Sequence, residues 1–164
     1  MRVLAKISLP ALVVGWAALA GCVAGGVLKA PLALAAAATR HGGQFQMQVA
    51  IAPHANQDSP IAVDLLFVTN KALLKQLAGW NAATWFQNRR EVIAAQRSTL
   101  TAFSWEWVPG QHPNIIRINF SGSVQGAIVF ADYYTPGPHR AVFDPHHPAQ
   151  LTLLAHDLQL VTAG

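Results

Sequence analysis

Cysteine, acid and charge of either sign are scarce in this chain. Cys22 is the only cysteine among 164 residues, so no disulfide can close within the chain and stability must come from a packed core. Asp and Glu number seven and charged residues make up 11% of the total, which removes most candidates for the paired carboxylates of a glycosidase. No stretch of Lys and Arg is longer than Arg89-Arg90, which excludes the basic footprint of a nucleic-acid binder. Without Arg2 and Lys6, nine Lys and Arg face seven acids, and the formal net charge falls from +4 to +2. The high isoelectric point therefore reflects missing acids rather than a basic patch. A serine-hydrolase elbow is absent too: Gly122-Ser123-Val124 lacks both the second glycine and the strand-to-helix turn. His112, His139, His146, His147 and His156 have no cysteine or acidic pair at ligand spacing, and His146-His147 lies in a Pro-flanked turn that faces water. No metal site, no catalytic residue and no enzyme activity is expected.

The N-terminus is where the sequence is most explicit. Arg2 and Lys6 precede the apolar run Leu9 to Ala18, and small residues follow, which is the order of a secretory signal. Its ending, Leu19-Ala20-Gly21-Cys22, resembles the bacterial lipobox, at which the cysteine thiol is diacylated and the chain is cut before it. Residues 1–21 are then a lipoprotein signal peptide. Cys22 carries S-diacylglycerol and N-acyl lipid, the only attached group expected, with no other cofactor. Each buried methylene contributes about 0.8 kcal/mol, so several acyl chains hold a protein on its bilayer. An uncleaved transmembrane anchor within residues 7–38 fits less well, because Gly21, Gly25, Gly26, Lys29 and Pro31 interrupt the run. Val23 follows the cysteine where an aspartate would oppose sorting to the outer membrane in the lipoproteins it resembles. Residues 22–44 read as a lipidated, Ala/Gly-rich tether with a span on the order of 25 Å as a flexible coil.

From Phe45 the hydrophobic period becomes two, and residues 45–164 form the folded domain. Phe45, Met47, Val49 and Ile51 alternate with polar positions, which predicts a strand with one buried face. Ile61 to Val68 is apolar on both faces except at Asp64, which predicts a central strand and a hydrogen bond from a loop backbone to that carboxylate. Asn70 caps a helix ended by Gly79, and Asn81 starts another in which Trp85 and Phe86 point inward while Arg89, Arg90 and Glu91 are solvated. Phe103, Trp105 and Trp107 share one strand face. Asn114 to Phe120 is expected to pair with that strand. Gly126 to Tyr134 reads as central, His139 to Phe143 follows, and Gln150 to Val161 splits near Ala155-His156 with Leu151, Leu153, Leu158 and Leu160 buried. The class is all-β: an antiparallel β-sandwich of seven or eight strands, of transthyretin or immunoglobulin type, with a short helical insertion between strands 2 and 3.

The order of several short motifs is familiar. The polar loop Asn56-Gln57-Asp58 leads into Ser59-Pro60-Ile61, a helix centres on Trp85-Phe86, Pro109-Gly110 turns, and Gly126 to Tyr134 follows. Behind a lipobox, that series resembles the outer-membrane lipoproteins of type VI secretion systems, the TssJ family, over about residues 45–143. The resemblance implies a sandwich on the periplasmic face of the outer membrane. It also implies a partner, the periplasmic domain of the inner-membrane scaffold, which the lipoprotein binds and recruits. By analogy the partner-binding loop is His54, Ala55, Asn56, Gln57, Asp58 and Ser59. This reading expects the Asn56 loop exposed and the strand tryptophans buried. The alternative is a periplasmic lipoprotein that binds a small ligand or glycan on a surface lined by Trp105, Trp107 or Trp80, of which Trp80 is expected to be the most exposed.

Overall fold

Each change of hydrophobic period along the chain becomes a change of layer. In the computed structural model, residues 42–163 other than Ser121 are described; the signal segment, Cys22 and the tether as far as residue 41 lie outside the described residues. The elements run β1 (Gly43–Ile51), β2 (Ile61–Val68), α1 (Lys71–Ala78), α2 (Ala82–Ala95), β3 (Leu100–Trp107), β4 (Ile116–Phe120), β5 (Gly126–Ala131), β6 (Arg140–Phe143), β7 (Ala149–Leu153) and β8 (Leu158–Thr162). They form two four-stranded sheets, ordered β4-β1-β7-β8 and β3-β2-β5-β6.

One core lies between the sheets. Phe45, Met47 and Ile51 of β1 and Leu151 and Leu153 of β7 meet Ile61, Val63, Leu65 and Phe67 of β2 there. Phe67 takes edge-on contacts from Phe45, Phe103 and Phe120, with ring centroids 5.6, 5.8 and 5.3 Å away. A second core lies on the opposite side of β2 and β5. Leu66, Val68, Ile128 and Phe130 are covered there by Leu73 and Leu77 of α1 and Trp85 of α2. Trp85 stacks flat on Phe130 at 5.5 Å. Both helices begin as the sequence predicts: the Asn70 and Asn81 side chains accept hydrogen bonds from Leu73 N and Thr84 N. Among the described residues no helix is long and apolar enough to cross a membrane.

The structure corrects four expectations. β4 pairs with β1, not with β3, because the eight residues between β3 and β4 carry the chain from one sheet to the other. β1 and β7 pair in parallel, Met47 against Ala149 through Ile51 against Leu153, in an otherwise antiparallel arrangement. Asp64 is bonded by helix side chains rather than loop backbone. Trp85 Nε1 donates to Oδ2 at 2.8 Å, and Arg89, expected in solvent, lies 3.2 Å from the same oxygen. Leu158 and Leu160 are half-buried at the sheet edge rather than buried.

Candidate functional site at one end of the sandwich

The strands lead four connections to the same end: β1–β2, β3–β4, β5–β6 and β7–β8. Long-range hydrogen bonds lace these loops together. Gly110 N donates to Ala52 O, Asn56 N to Leu154 O, and Asp132 N to Ala62 O, at 3.2, 3.2 and 2.8 Å. Tyr133 Oη donates to Asp157 O, and Thr135 Oγ1 to His156 O, at 2.9 and 2.8 Å. Burial holds the Tyr133 phenol well above the ordinary tyrosine range, so it stays a donor at neutral pH.

The β1–β2 connection has an unusual backbone. Asn56, Gln57 and Asp58 occupy the left-handed region in succession, with φ of 48, 56 and 61°. Non-glycine residues are disfavoured there by roughly 1–2 kcal/mol each, asparagine less than most. Asn56 holds the conformation in place. Its Nδ2 donates to Pro60 O at 2.9 Å, and its Oδ1 accepts from Tyr134 N at 2.9 Å. The Asn56 side chain thus joins the β1–β2 loop to the β5–β6 loop, and only 1% of the residue remains accessible.

This placement sorts the six residues of the expected loop into two groups. Ala55 and Asn56 are buried, against the expectation of an exposed Asn56. Its amide is bonded at both ends inside the protein and out of a partner's reach. His54, Gln57 and Asp58 are exposed, with His54 Nδ1 2.8 Å from Asp58 Oδ1, and Ser59 is half-buried. Sequence reasoning missed the neighbours of this loop. Tyr134 is 72% accessible, and Val108, Ile115 and Leu154 join it, so four of the six large apolar side chains exposed on the described surface lie in these loops. The same four loops carry Asp58, Asp132 and Asp157 and no Lys or Arg. His139, weighed from sequence only as a metal-ligand candidate, is buried at the end of the β5–β6 loop. Its Nδ1 lies 3.0 Å from Asp157 Oδ1 and its Nε2 2.7 Å from Thr135 O.

The tryptophans offer less than a binding platform requires. Trp107 is buried and Trp105 half-buried. Trp105 is flanked along its strand by Phe103 at 6.3 Å and Trp107 at 5.6 Å, with planes within 19° and 13° of parallel. A shallow cleft of about 340 Å³ runs beside them, lined also by Gln111, His112 and Asn114. Trp80 is half-buried against the helical layer, not the most exposed aromatic. Among the described residues no group of three His, Cys, Asp or Glu side chains is placed to hold a metal ion.

No family model and no curated protein matches the chain by sequence. Solved structures do match by shape. The T6SS lipoprotein TssJ1 from Pseudomonas aeruginosa superposes with a TM-score of 0.56 at 16% identity, covering 74% of this chain and 97% of that one. Serratia marcescens Lip, described as a membrane-bound component of the type VI secretion system, gives 0.55 at 14% identity, with 74% and 98% covered. A structure described as the TssM C-terminal domain (869-1107) from EAEC gives 0.50 at 11%, with 74% and 98% covered. Identities this low compare folds only, and the eight-stranded sandwich with its helical cover is the fold of the TssJ lipoproteins that the motif order resembles.

Proposed function

We propose that this chain is a non-enzymatic lipoprotein adaptor, held through lipid on Cys22 at the periplasmic face of the outer membrane. In this reading it binds the periplasmic domain of the inner-membrane scaffold of a type VI secretion complex and recruits it. One observation carries the docking part. On a fold shared with T6SS lipoproteins, the loop end is a hydrogen-bonded surface that exposes Tyr134, Leu154 and Val108 beside three carboxylates. Pinned loops lose little entropy on binding, so exposed aromatics on them are efficient anchors. His54, Gln57, Asp58 and Ser59 are the members of the expected loop free to touch a partner; Ala55 and Asn56 shape it. A partner that fits presents apolar side chains flanked by cations.

The test is capture of the scaffold's periplasmic domain, purified from the same bacterium, by the chain from residue 22 onward. Tyr134→Ala with Asp58→Ala is expected to weaken capture tenfold or more, the scale of an interface hot spot. Val161→Ala, on the outer face of the opposite sheet, should leave it unchanged. Equal capture by the loop variant and the parent overturns the assignment.

A further inference from the structure

The helical layer and the docking loops differ in charge, although the exposed Asp144, just after β6, also lies at the end away from those loops. From Gly43 onward the chain has seven Lys and Arg and seven Asp and Glu, so the domain is neutral as a whole, yet these charges are segregated. Five of the seven cations, Lys71, Lys75, Arg89, Arg90 and Arg97, fall in the helical insertion, with Glu91 as the single acid among them. Arg89 is engaged by Asp64, whereas Lys71, Lys75, Arg90 and Arg97 are exposed.

The helical layer spans the sandwich from end to end, and topology places its exposed cations toward the end where the chain enters the domain. β1 starts at Gly43 and runs toward the docking loops, so its first residue lies at the far end from them. At that far end Val68 of β2 faces Leu100 of β3, and Thr69 N donates to Thr99 O at 3.0 Å. α1 begins beside this point. α2 starts at the docking end, where Ala82 N donates to Pro138 O at 2.9 Å, and runs back to Gln96. Lys71 and Arg97 therefore sit at the entry end, with Lys75 one turn and Arg90 two turns along. The segment that follows Cys22 joins the domain at this same end.

We infer that the exposed cations of the helical layer are a membrane-facing surface that binds anionic, phosphate-bearing lipid headgroups. The domain would then stand with its carboxylate-bearing loops directed away from the bilayer. Two observations select this occupant: the charge complementarity, and the attachment of the anchored segment at the cationic end. The inference rests on the anchored-lipoprotein reading for its orientation. Electrostatic attraction to a headgroup layer acts within about a Debye length, so four cations on one layer add to a lipid anchor without inserting.

Vesicle sedimentation of the chain from residue 22, carrying Cys22→Ser so that no lipid confounds it, tests this. The described residues enclose their own two cores, so this form retains the folded domain. Binding is expected to vesicles of phosphatidylcholine mixed with an equal amount of phosphatidylglycerol and not to phosphatidylcholine alone, and to weaken as salt rises. Neutralising Lys71, Lys75, Arg90 and Arg97 to Gln should lower the partition about fivefold for each cation removed. Arg117→Gln, on β4, should leave it unchanged, and an unchanged melting temperature verifies that the fourfold variant is folded. Equal partition of the fourfold variant and the parent overturns the inference, as does a parent indifferent to phosphatidylglycerol. Scaffold capture by the docking loops is measured separately, so either failure leaves that reading standing.

Discussion

The two sheets are built from the same number of strands, yet their outer faces have opposite fates. The face of the β3-β2-β5-β6 sheet lies under two helices, and every residue of β5 is buried. The outward positions of β1, β4, β7 and β8 instead carry the uncovered amides of Gln44, Gln46, Gln48, Asn119, Gln150 and Gln159, and Gln44 Nε2 donates across the strands to Asn119 Oδ1 at 3.2 Å. The covered sheet gains a second apolar core and takes on a problem with it: Asp64 sits in β2 with no accessible side-chain surface. A buried carboxylate is tolerated only when it is bonded. Trp85 and Arg89, four residues apart on α2, supply those bonds, so the same acid that would destabilise a bare sheet fixes the position of the helix that covers it.

The largest expected effect follows from that dependence. Arg89→Met leaves the Asp64 carboxylate with one donor in an apolar layer, and unfolding in urea should show a loss of about 3–5 kcal/mol. Asp64→Leu combined with Arg89→Met removes the charge together with its partner and should recover only part of the loss, because the buried Trp85 Nε1 then has no acceptor. Gln150→Val on the bare sheet should stay within about 0.5 kcal/mol of the parent. If Arg89→Met proves as mild as Gln150→Val, the covered face is held by apolar contact alone and the contrast drawn between the sheets fails.

A smaller effect tests how the sheets are joined at the docking end. Asn56→Ala removes the donor to Pro60 O and the acceptor for Tyr134 N, leaving a three-residue left-handed turn without its brace. A cost of about 1–3 kcal/mol is expected, measured by thermal or chemical unfolding. Asn56→Asp keeps the acceptor for Tyr134 N but sets a buried carboxylate oxygen against Pro60 O, so it should cost at least as much as Asn56→Ala. Hydrogen exchange at the Tyr134 amide separates the two: fast in Asn56→Ala, still protected in Asn56→Asp.

The contrast between the sheets also explains what the sequence revealed. Continuous apolar runs made β2 and β5 legible as central strands, because burial on both faces leaves no polar alternation to read. β1 showed itself by its period of two, α1 and α2 by their asparagine caps, and the break between β7 and β8 by Ala155-His156. Pairing was less accessible. Nothing within β4 distinguishes β1 from β3 as its neighbour, and the parallel contact of β1 with β7 joins segments about a hundred residues apart. Side-chain partners across such distances were hidden for the same reason. Asp64 announced a need for donors without naming Trp85 and Arg89. Asn56 looked like a surface residue because it lies between prolines in a polar loop, and only the fold brings Tyr134 N to its carbonyl. The loop end as a whole was half legible: the β1–β2 loop and the Pro109-Gly110 turn came from the motif order, while the meeting of Tyr134 and Leu154 with them came only through the topology.

The smallest effect concerns the margin of the helical cover, where Asp132 follows β5. Partial burial pushes this carboxyl above the ordinary aspartate range. Arg89 pulls it back in part, Asp64 adds to the rise, and His139 opposes it. A carboxyl whose folded pKa exceeds its unfolded value binds more protons in the folded state, so its contribution to stability declines as pH rises through the carboxylate range. At neutral pH the ionised Asp132 is therefore a mild burden, present above its folded pKa and gone below the unfolded value near 3.8. Asp132→Asn should consequently equal or exceed the parent in stability at pH 7, by no more than about 0.5 kcal/mol. The difference should shrink toward zero as the solution is acidified past the carboxylate range. The same substitution leaves the backbone bond from residue 132 to Ala62 O intact, so a gain confined to high pH isolates the charge from the fold. A loss at pH 7 would mean that Arg89 holds two carboxylates at once, and the margin of the cover would then be stabilised by its charges as its centre is.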